Sequence, residues 1–304
     1  MGFWIAAITQ GLAFVALAWG VYLSARVLRF ADISPDGTFP LGAAVCAALL
    51  VHHVPPLLAT LAAVGAGMVA GYITASLHTR LGVTDLLSGI LMMTALYSVN
   101  LHVMGRSNIS LLDAQTLATR VRTMVPATTG WNDDVLFGAI FLLMSLLLGA
   151  LLAWFLKTDF GIALRSVGDN PAMITAQGVD RRRMIELGLA LGNGLVAYSG
   201  ALIAQYQGFA DVAMGLGTMV TGMAAVILGE TLRARGRSLV TTIAMVAAGA
   251  ILFRLLVGLA LRVGLNPIDL KLMTAVFVLV ALALPRLRRA GRRADGQAGR
   301  RAAA

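Results

Sequence analysis

Long apolar runs alternate along this chain with short segments in which the charged residues collect. With about 20 residues needed to cross a hydrocarbon layer, the runs place spans at about 3–24, 38–53, 56–77, 83–104, 134–156, 184–206, 214–230, 238–260 and 268–285. The runs are continuous and rich in Leu, Ala, Val and Gly, without the ten-residue alternation of a membrane β-barrel. They predict an all-α polytopic transmembrane bundle of about nine spans, with eight to ten admissible. The second and seventh spans are short, and the Pro55-Pro56 pair joins the second to the third. Either short span can therefore be a broken or re-entrant helix.

Composition removes the soluble alternative. Of 304 residues, 59% are hydrophobic and 12% charged, about half the charged share a hydrated domain needs. The net charge of +10 does not imply nucleic acid, because the basic residues sit between apolar runs instead of on a hydrated face interleaved with aromatics. It sets orientation instead. Eighteen of the 24 Lys and Arg, among them Arg26, Arg29, Arg80, Arg165, Arg181, Arg182 and Arg183, fall on one side of the predicted membrane, and five on the other. The richer side is cytoplasmic by the positive-inside rule, so the N-terminus is expected outside and the C-terminus inside. Residues 1–285 then form the transmembrane domain, and 286–304 a basic tail expected to be disordered against anionic lipid. The opening apolar stretch has Arg26 as its first basic residue. It lacks the charged leading region of a secretory signal and is expected to stay as the first span. Cys46 is the single cysteine and the four histidines are scattered, so neither a disulfide framework nor a metal site is expected.

The segment between the fifth and sixth spans, "KTDFGIALRSVGDNPAMITAQGVDRRR" from Lys157 to Arg183, carries the clearest local signal. Asn170 is a strong N-cap, Pro171 suits the first helical position, and Gly178 can close a helix in the left-handed conformation. The six residues between them are too few to cross a membrane and too apolar to be left in water. Such a helix either inserts into a groove on another protein, with Met173 as an adaptable contact and Arg165 and Arg181–Arg183 at the rim, or lies flat on the bilayer.

The run "FGIALRSVGDNPAMITAQGVD" resembles the cytoplasmic coupling segment of permease subunits in the branched-chain amino acid and sugar importer family of ATP-binding-cassette transporters. "ADISPDGTFPLGAAV", "GVTDLLSGILMMTALYSVNLHVMGRSNISLL", "SGALIAQYQGFADVAMGLGTMVTGMAAVILGE" and "LRVGLNPIDLKLMTA" are similar to a subgroup paired with a binding protein and an ATPase, some members of which are linked to tryptophan or tyrosine. The resemblance extends to about Pro285. It implies a multi-pass protein of a bacterial cytoplasmic (inner) membrane, working as a dimer of permease copies with two ATPase subunits and an extracytoplasmic binding protein. It further implies that Gly168, Asp169, Asn170, Pro171 and Gly178, supported by Arg165, dock onto the ATPase. The chain's own residues agree with that division of labour. Lys157 and Lys271 each follow Leu, so no Gly-Lys-Ser/Thr phosphate loop exists, and ATP with Mg is expected on the partner.

Polar groups inside spans are costly and are therefore candidates for a translocation path. In the fourth span Thr94, Tyr97 and Ser98 share one helical face, while Asn100 and Asp85 lie above and below it; Asp85 either caps the span or lines the path. Asn193 reads as interhelical glue or path. Gln205, Tyr206 and Gln207 read as a substrate mouth or an interfacial belt. Arg254, in the outer half of the eighth span, either meets a substrate carboxylate or snorkels to the interface. The loop from Gly105 to Asp133 is long enough to receive a binding protein. Gly67 with Gly71 and Gly188 with Gly192 have the spacing of close helix contacts.

Two other classes compete with an ATP-driven permease. An ion-coupled secondary transporter or channel would want a carboxylate at mid-membrane, and no acidic residue falls clearly at mid-span. An intramembrane enzyme would want more than the Asp133-Asp134 pair, or a histidine partner for Ser199. The chain is expected to perform no chemistry of its own.

Overall fold

The computed structural model describes residues 2–124, 133–232 and 238–264 and, beyond these, residues 266, 269, 272, 274–276 and 279. Among the described residues, seven segments are long and apolar enough to cross a membrane: Gly2–Val27, Pro56–Thr79, Asp85–Met104, Val135–Phe155, Arg181–Gln207, Val212–Leu232 and Leu239–Arg262. Pro35–Val51 is a shorter apolar helix. Together they account for eight of the nine predicted spans. The ninth, 268–285, lies largely outside the described residues, as do the tail 286–304 and the basic residues at 233, 235 and 237.

The elements in order are α1 (Gly2–Tyr22) with a π turn (Leu23–Val27), α2 (Pro35–Val51), α3 (Pro56–Thr79), α4 (Asp85–Met104), β1 (Asn108–Ser110) and α5 (Leu117–Met124). They continue as α6 (Asp133–Phe155), α7 (Asp159–Asp169), α8 (Pro171–Ala176), α9 (Arg181–Gln207), β2 (Phe209–Asp211), a 3-10 turn (Val212–Gly215), α10 (Thr218–Leu232) and α11 (Leu239–Arg262). Helix α9 is the buried axis, packed against α1, α2 and α3. The predicted small-residue contacts produce that packing. A Cβ at Gly67 or Gly71 would strike α9 at Ala197 or Leu189, and one at Gly20 would strike Gly192. Lipid tails are as apolar as leucine, so close backbone approach and interhelical hydrogen bonds hold such a bundle together. The bonds are present: Ser199 Oγ donates to Ala13 O at 2.7 Å, Trp19 Nε1 to Ile243 O at 3.0 Å and Ser145 Oγ to Leu12 O at 3.2 Å.

Two helices, α2 and α10, are shorter than the others that fill predicted spans, at the two places where the sequence spans are short. At the end of α1 the π turn widens the helix, Arg29 takes a left-handed φ of 55°, and the chain turns back toward α9. There Asp32 Oδ1 accepts from Ser34 N at 2.8 Å, a tight turn that hands over to Pro35 at the start of α2. With 17 residues α2 is about 25 Å long, short of a full crossing. The seventh span is likewise interrupted: β2 and the 3-10 turn lead to Gly217, whose φ of +86° breaks the path before α10 begins. The two starts meet. Asp36, in the first turn of α2, accepts from Gly217 N (3.0 Å), Met219 N (2.7 Å) and Thr218 Oγ1 (3.0 Å), and so caps α10. Broken helices of this kind are tolerated at membrane depth only where the surrounding protein satisfies the freed backbone.

The two ends of the bundle differ. At one, β1 and β2 pair antiparallel with Ile109 opposite Ala210, tying the exit of α4 to the exit of α9. The other carries Arg26, Arg29, Arg80, α7 and α8, and is called the basic end below.

Candidate functional site

At the basic end the stretch from Lys157 to Arg183 folds as two short helices, where one was expected. Thr158 caps α7, its hydroxyl accepting from Gly161 N at 3.4 Å. Asn170 then ends α7 and caps α8, its Oδ1 accepting from Met173 N at 3.1 Å, with Pro171 at the first helical position. Gly178, two residues past the end of α8, has φ +83°, the left-handed value that L side chains avoid. Ile174 points inward while Met173 is 59% exposed, so the apolar tip of α8 is uncovered among the described residues.

Helix α7 joins this unit to the bundle. Val167 and Leu164 are buried, and a Cβ at Gly168 would collide with the carbonyl oxygen of Val27 in the π turn. Asp169 pairs with Arg29 at 3.0 Å, both largely exposed. Gly168 thus seats the α7–α8 corner on the point where α1 unwinds. Arg165 keeps a buried Nε without a hydrogen-bond partner. Nearby, Arg80 at the end of α3 holds Glu186 of α9 at 2.9 Å. The hydrogen bond and charge of that carboxylate keep the guanidinium above its ordinary pKa.

The segment that follows Arg29 reaches from the basic end into the bundle. Ala31 N donates to Asp85 at 3.2 Å, and Asn193 Nδ2 donates to Asp32 Oδ2 at 2.9 Å while its Oδ1 accepts from Ser34 Oγ at 3.1 Å. Gly89 of α4 packs against Ile33 N, 2.7 Å from where its Cβ would stand. Asn193 lies near the middle of α9, so Asp32 is a fully buried carboxylate at membrane depth. The expectation concerns acidic residues within spans; Asp32 belongs to none of them and reaches the buried interior from the segment between the first two. It was hidden because Asp32 lies between spans in sequence. The Asp-x-Ser-Pro pattern of a capping turn ahead of a short span was the available signal, and Asp36 was missed for the same reason.

The proposed path residues separate into groups. Thr94, Tyr97 and Ser98 share an exposed face of α4, with Tyr97 56% exposed and the Thr94 hydroxyl turned back onto Ile90 O and Leu91 O. Asn100 points the opposite way, buried, with Nδ2 donating to Gly37 O of α2 at 3.2 Å. Asp85 is not the N-cap of α4, which is Thr84; it accepts from Leu86 N at 2.9 Å and holds the re-entering segment. Gln205 is no exposed mouth. It is buried, donating to Thr60 Oγ1 at 2.9 Å and accepting from Leu117 N at 3.1 Å. Tyr206 packs edge-on to Phe137 at 5.4 Å, and Gln207 is exposed. Asn193 is buried and ties α9 to the segment that precedes α2. Arg254 does not reach for the helix end; its Cζ stands 3.6 Å from the ring centroid of Phe14. Glu230 pairs with Arg26 at 2.6 Å.

A helical bundle with seven segments able to span a membrane, two shorter helices whose starts meet, and a capped apolar helix at one end is the architecture of a polytopic membrane protein; among the described residues no group of His, Cys, Asp and Glu is placed to hold a metal. Residues 4–283 match the family described as "Branched-chain amino acid transport system / permease component", and the chain belongs to that family. It is 38% identical over 279 residues to the tyrosine transport system permease protein of Clostridioides difficile (strain R20291), covering 92% of this chain and 90% of that one. It is 31% identical over 285 residues to an uncharacterized protein of Rickettsia prowazekii (strain Madrid E), covering 93% and 97%. No solved structure matches. The chain is a multi-pass protein of the inner membrane.

Proposed function

We propose that this chain is the permease subunit of an ATP-driven amino-acid importer, with an aromatic amino acid such as tyrosine as its substrate, and that α8 is the helix on which a separate ATPase subunit pushes. The reading is supported by the membership of the chain in a permease-component family and by the tyrosine permease it resembles. The observation that carries the mechanism is the seating of Gly168 on Val27. A push on α8 reaches the unwound end of α1 through that contact. From there it runs through residues 29–34 to the Asp32–Asn193 bond and the start of α2, whose Asp36 also holds the start of α10. Two packings of these shorter helices, one open to each side, supply the alternation. ATP and Mg belong to the ATPase. Exposed Met173 suits its surface.

In this reading the basic end is cytoplasmic, the strand pair β1–β2 and the loop around α5 face the binding protein, and two permease copies bring their exposed α4 faces, with Thr94, Tyr97 and Ser98, to the path. Purification from the native host tests it. The chain is expected to come with an ATPase and to import amino acid only with ATP. Uptake by the chain alone, insensitive to loss of the ATPase, would refute it.

The buried Asp32 favours one competitor, ion-coupled transport, because a carboxylate at this depth is what a coupling ion needs. Both its oxygens are already engaged by Ser34 and Asn193. Uptake abolished by an ionophore at constant ATP would decide for that mechanism.

A further inference from the structure

Arg254 lies within α11 about 12 Å from the Arg262 end, by the 1.5 Å rise per residue. Its Nε is buried without an acceptor, and among the described residues its guanidinium has neither an ion pair nor a hydrogen bond. Among the described residues its partner is the face of Phe14. A ring face compensates only part of the loss of water, and a cation at this depth ordinarily pairs with an anion. The guanidinium borders a cavity of about 400 Å³ whose wall includes Phe14, Leu216, Gly217, Thr218, Thr221 and Arg254. The volume falls within the range of small-molecule sites, roughly 300–1,000 Å³.

The cavity sits where the seventh span breaks, at the start of α10. Asp36 already accepts from Gly217 N and Met219 N, so the helix start is capped from the far side. The charge left uncompensated in the wall is that of Arg254. A planar guanidinium fits a carboxylate through two parallel hydrogen bonds, and the remaining lining is apolar or hydroxyl-bearing.

We infer that Arg254 is the carboxylate anchor of the translocation path: this cavity takes the α-carboxylate of the transported amino acid, with the body of the substrate against Phe14 and Leu216. The inference rests on the proposed reading of the chain as an amino-acid permease. It differs from snorkelling, because the side chain lies over a ring on α1 and borders an open cavity at the start of α10.

The test uses the permease–ATPase complex in lipid nanodiscs without binding protein, so that only sites on the complex are read. Equilibrium binding is measured for L-tyrosine, L-tryptophan and L-leucine, each against its decarboxylated amine (tyramine, tryptamine and isoamylamine). For at least one pair, wild type should bind the amino acid at least tenfold more tightly than the amine. Arg254→Gln should erase the difference, and Arg254→Lys should keep part of it. Should Arg254→Gln not assemble, the wild-type comparison decides alone. Equal binding of acid and amine by wild type, or undiminished preference in Arg254→Gln, overturns the inference. So does phosphatidylglycerol that co-purifies with wild type and is lost from Arg254→Gln without any amino-acid preference, which would assign the charge to a lipid phosphate. In those cases ATP-dependent uptake leaves the permease reading standing. Failure of that reading shows separately, as absence of ATP-dependent uptake of any amino acid.

Discussion

Asp32 and Arg254 are both ionisable side chains held inside the bundle, and their surroundings are opposite. Asp32 is met on both oxygens, by Ser34 N and Asn193 Nδ2, and Asn193 is in turn met by Ser34 Oγ. Arg254 has a ring face and a cavity. A buried polar group whose partners are all supplied by the chain fixes architecture, because removing any member strands the others. One whose partner is missing is held for something that arrives. The difference separates the scaffold that positions the two shorter helices from the surface that meets the solute.

The sharpest way to break this contrast is Asn193→Leu. It takes the donor from Asp32 and the acceptor from Ser34, and the folded complex is expected to lose on the order of 3 kcal/mol, read as a lower thermal midpoint in nanodiscs. A stability equal to wild type would mean that the polar cluster is incidental. Next comes Gly168→Ala. Its methyl group meets the Val27 carbonyl, and overpacking of that kind costs about 1–3 kcal/mol. Uptake should fall roughly tenfold or more while ATP hydrolysis continues, as measured in proteoliposomes. Asp36→Ala removes the cap of α10 and should cost about 1–2 kcal/mol. That variant should also shift the pattern of cysteine accessibility at Thr218, which an inert surface carboxylate would not. The smallest effect is expected from Arg29→Gln. The Arg29–Asp169 pair is largely exposed, so its loss should change stability by less than about 1 kcal/mol and disappear at high salt.

The sequence made the bundle readable where one element suffices to define itself. Apolar runs located eight helices to within a few residues, the glycine spacing at Gly67 and Gly71 foretold a close helix contact, which falls on α9, and Asn170, Pro171 and Gly178 marked both ends of α8. What it did not disclose depended on partners far along the chain. Gln205 looked like a residue of the outer mouth until its contact with Thr60, 145 positions away, placed it inside. Asn100 and Tyr97 are three residues apart, yet only tertiary packing decides that one faces α2 and the other faces outward. Asp32 was invisible for a different reason. Hydropathy assigns depth only to residues within spans, and the turn at Arg29 carries a loop residue back into the bundle.

The proposed mechanism is tested most directly by the ratio of amino acid imported to ATP hydrolysed in proteoliposomes holding the full complex, compared between wild type and Gly178→Leu. A Cβ at Gly178 would have no neighbour within 4 Å, and the backbone there has a left-handed φ of +83°, so the strain of the substitution falls on the backbone that ends α8. The account predicts normal assembly and continued hydrolysis with the ratio driven close to zero. A ratio equal to wild type would contradict it.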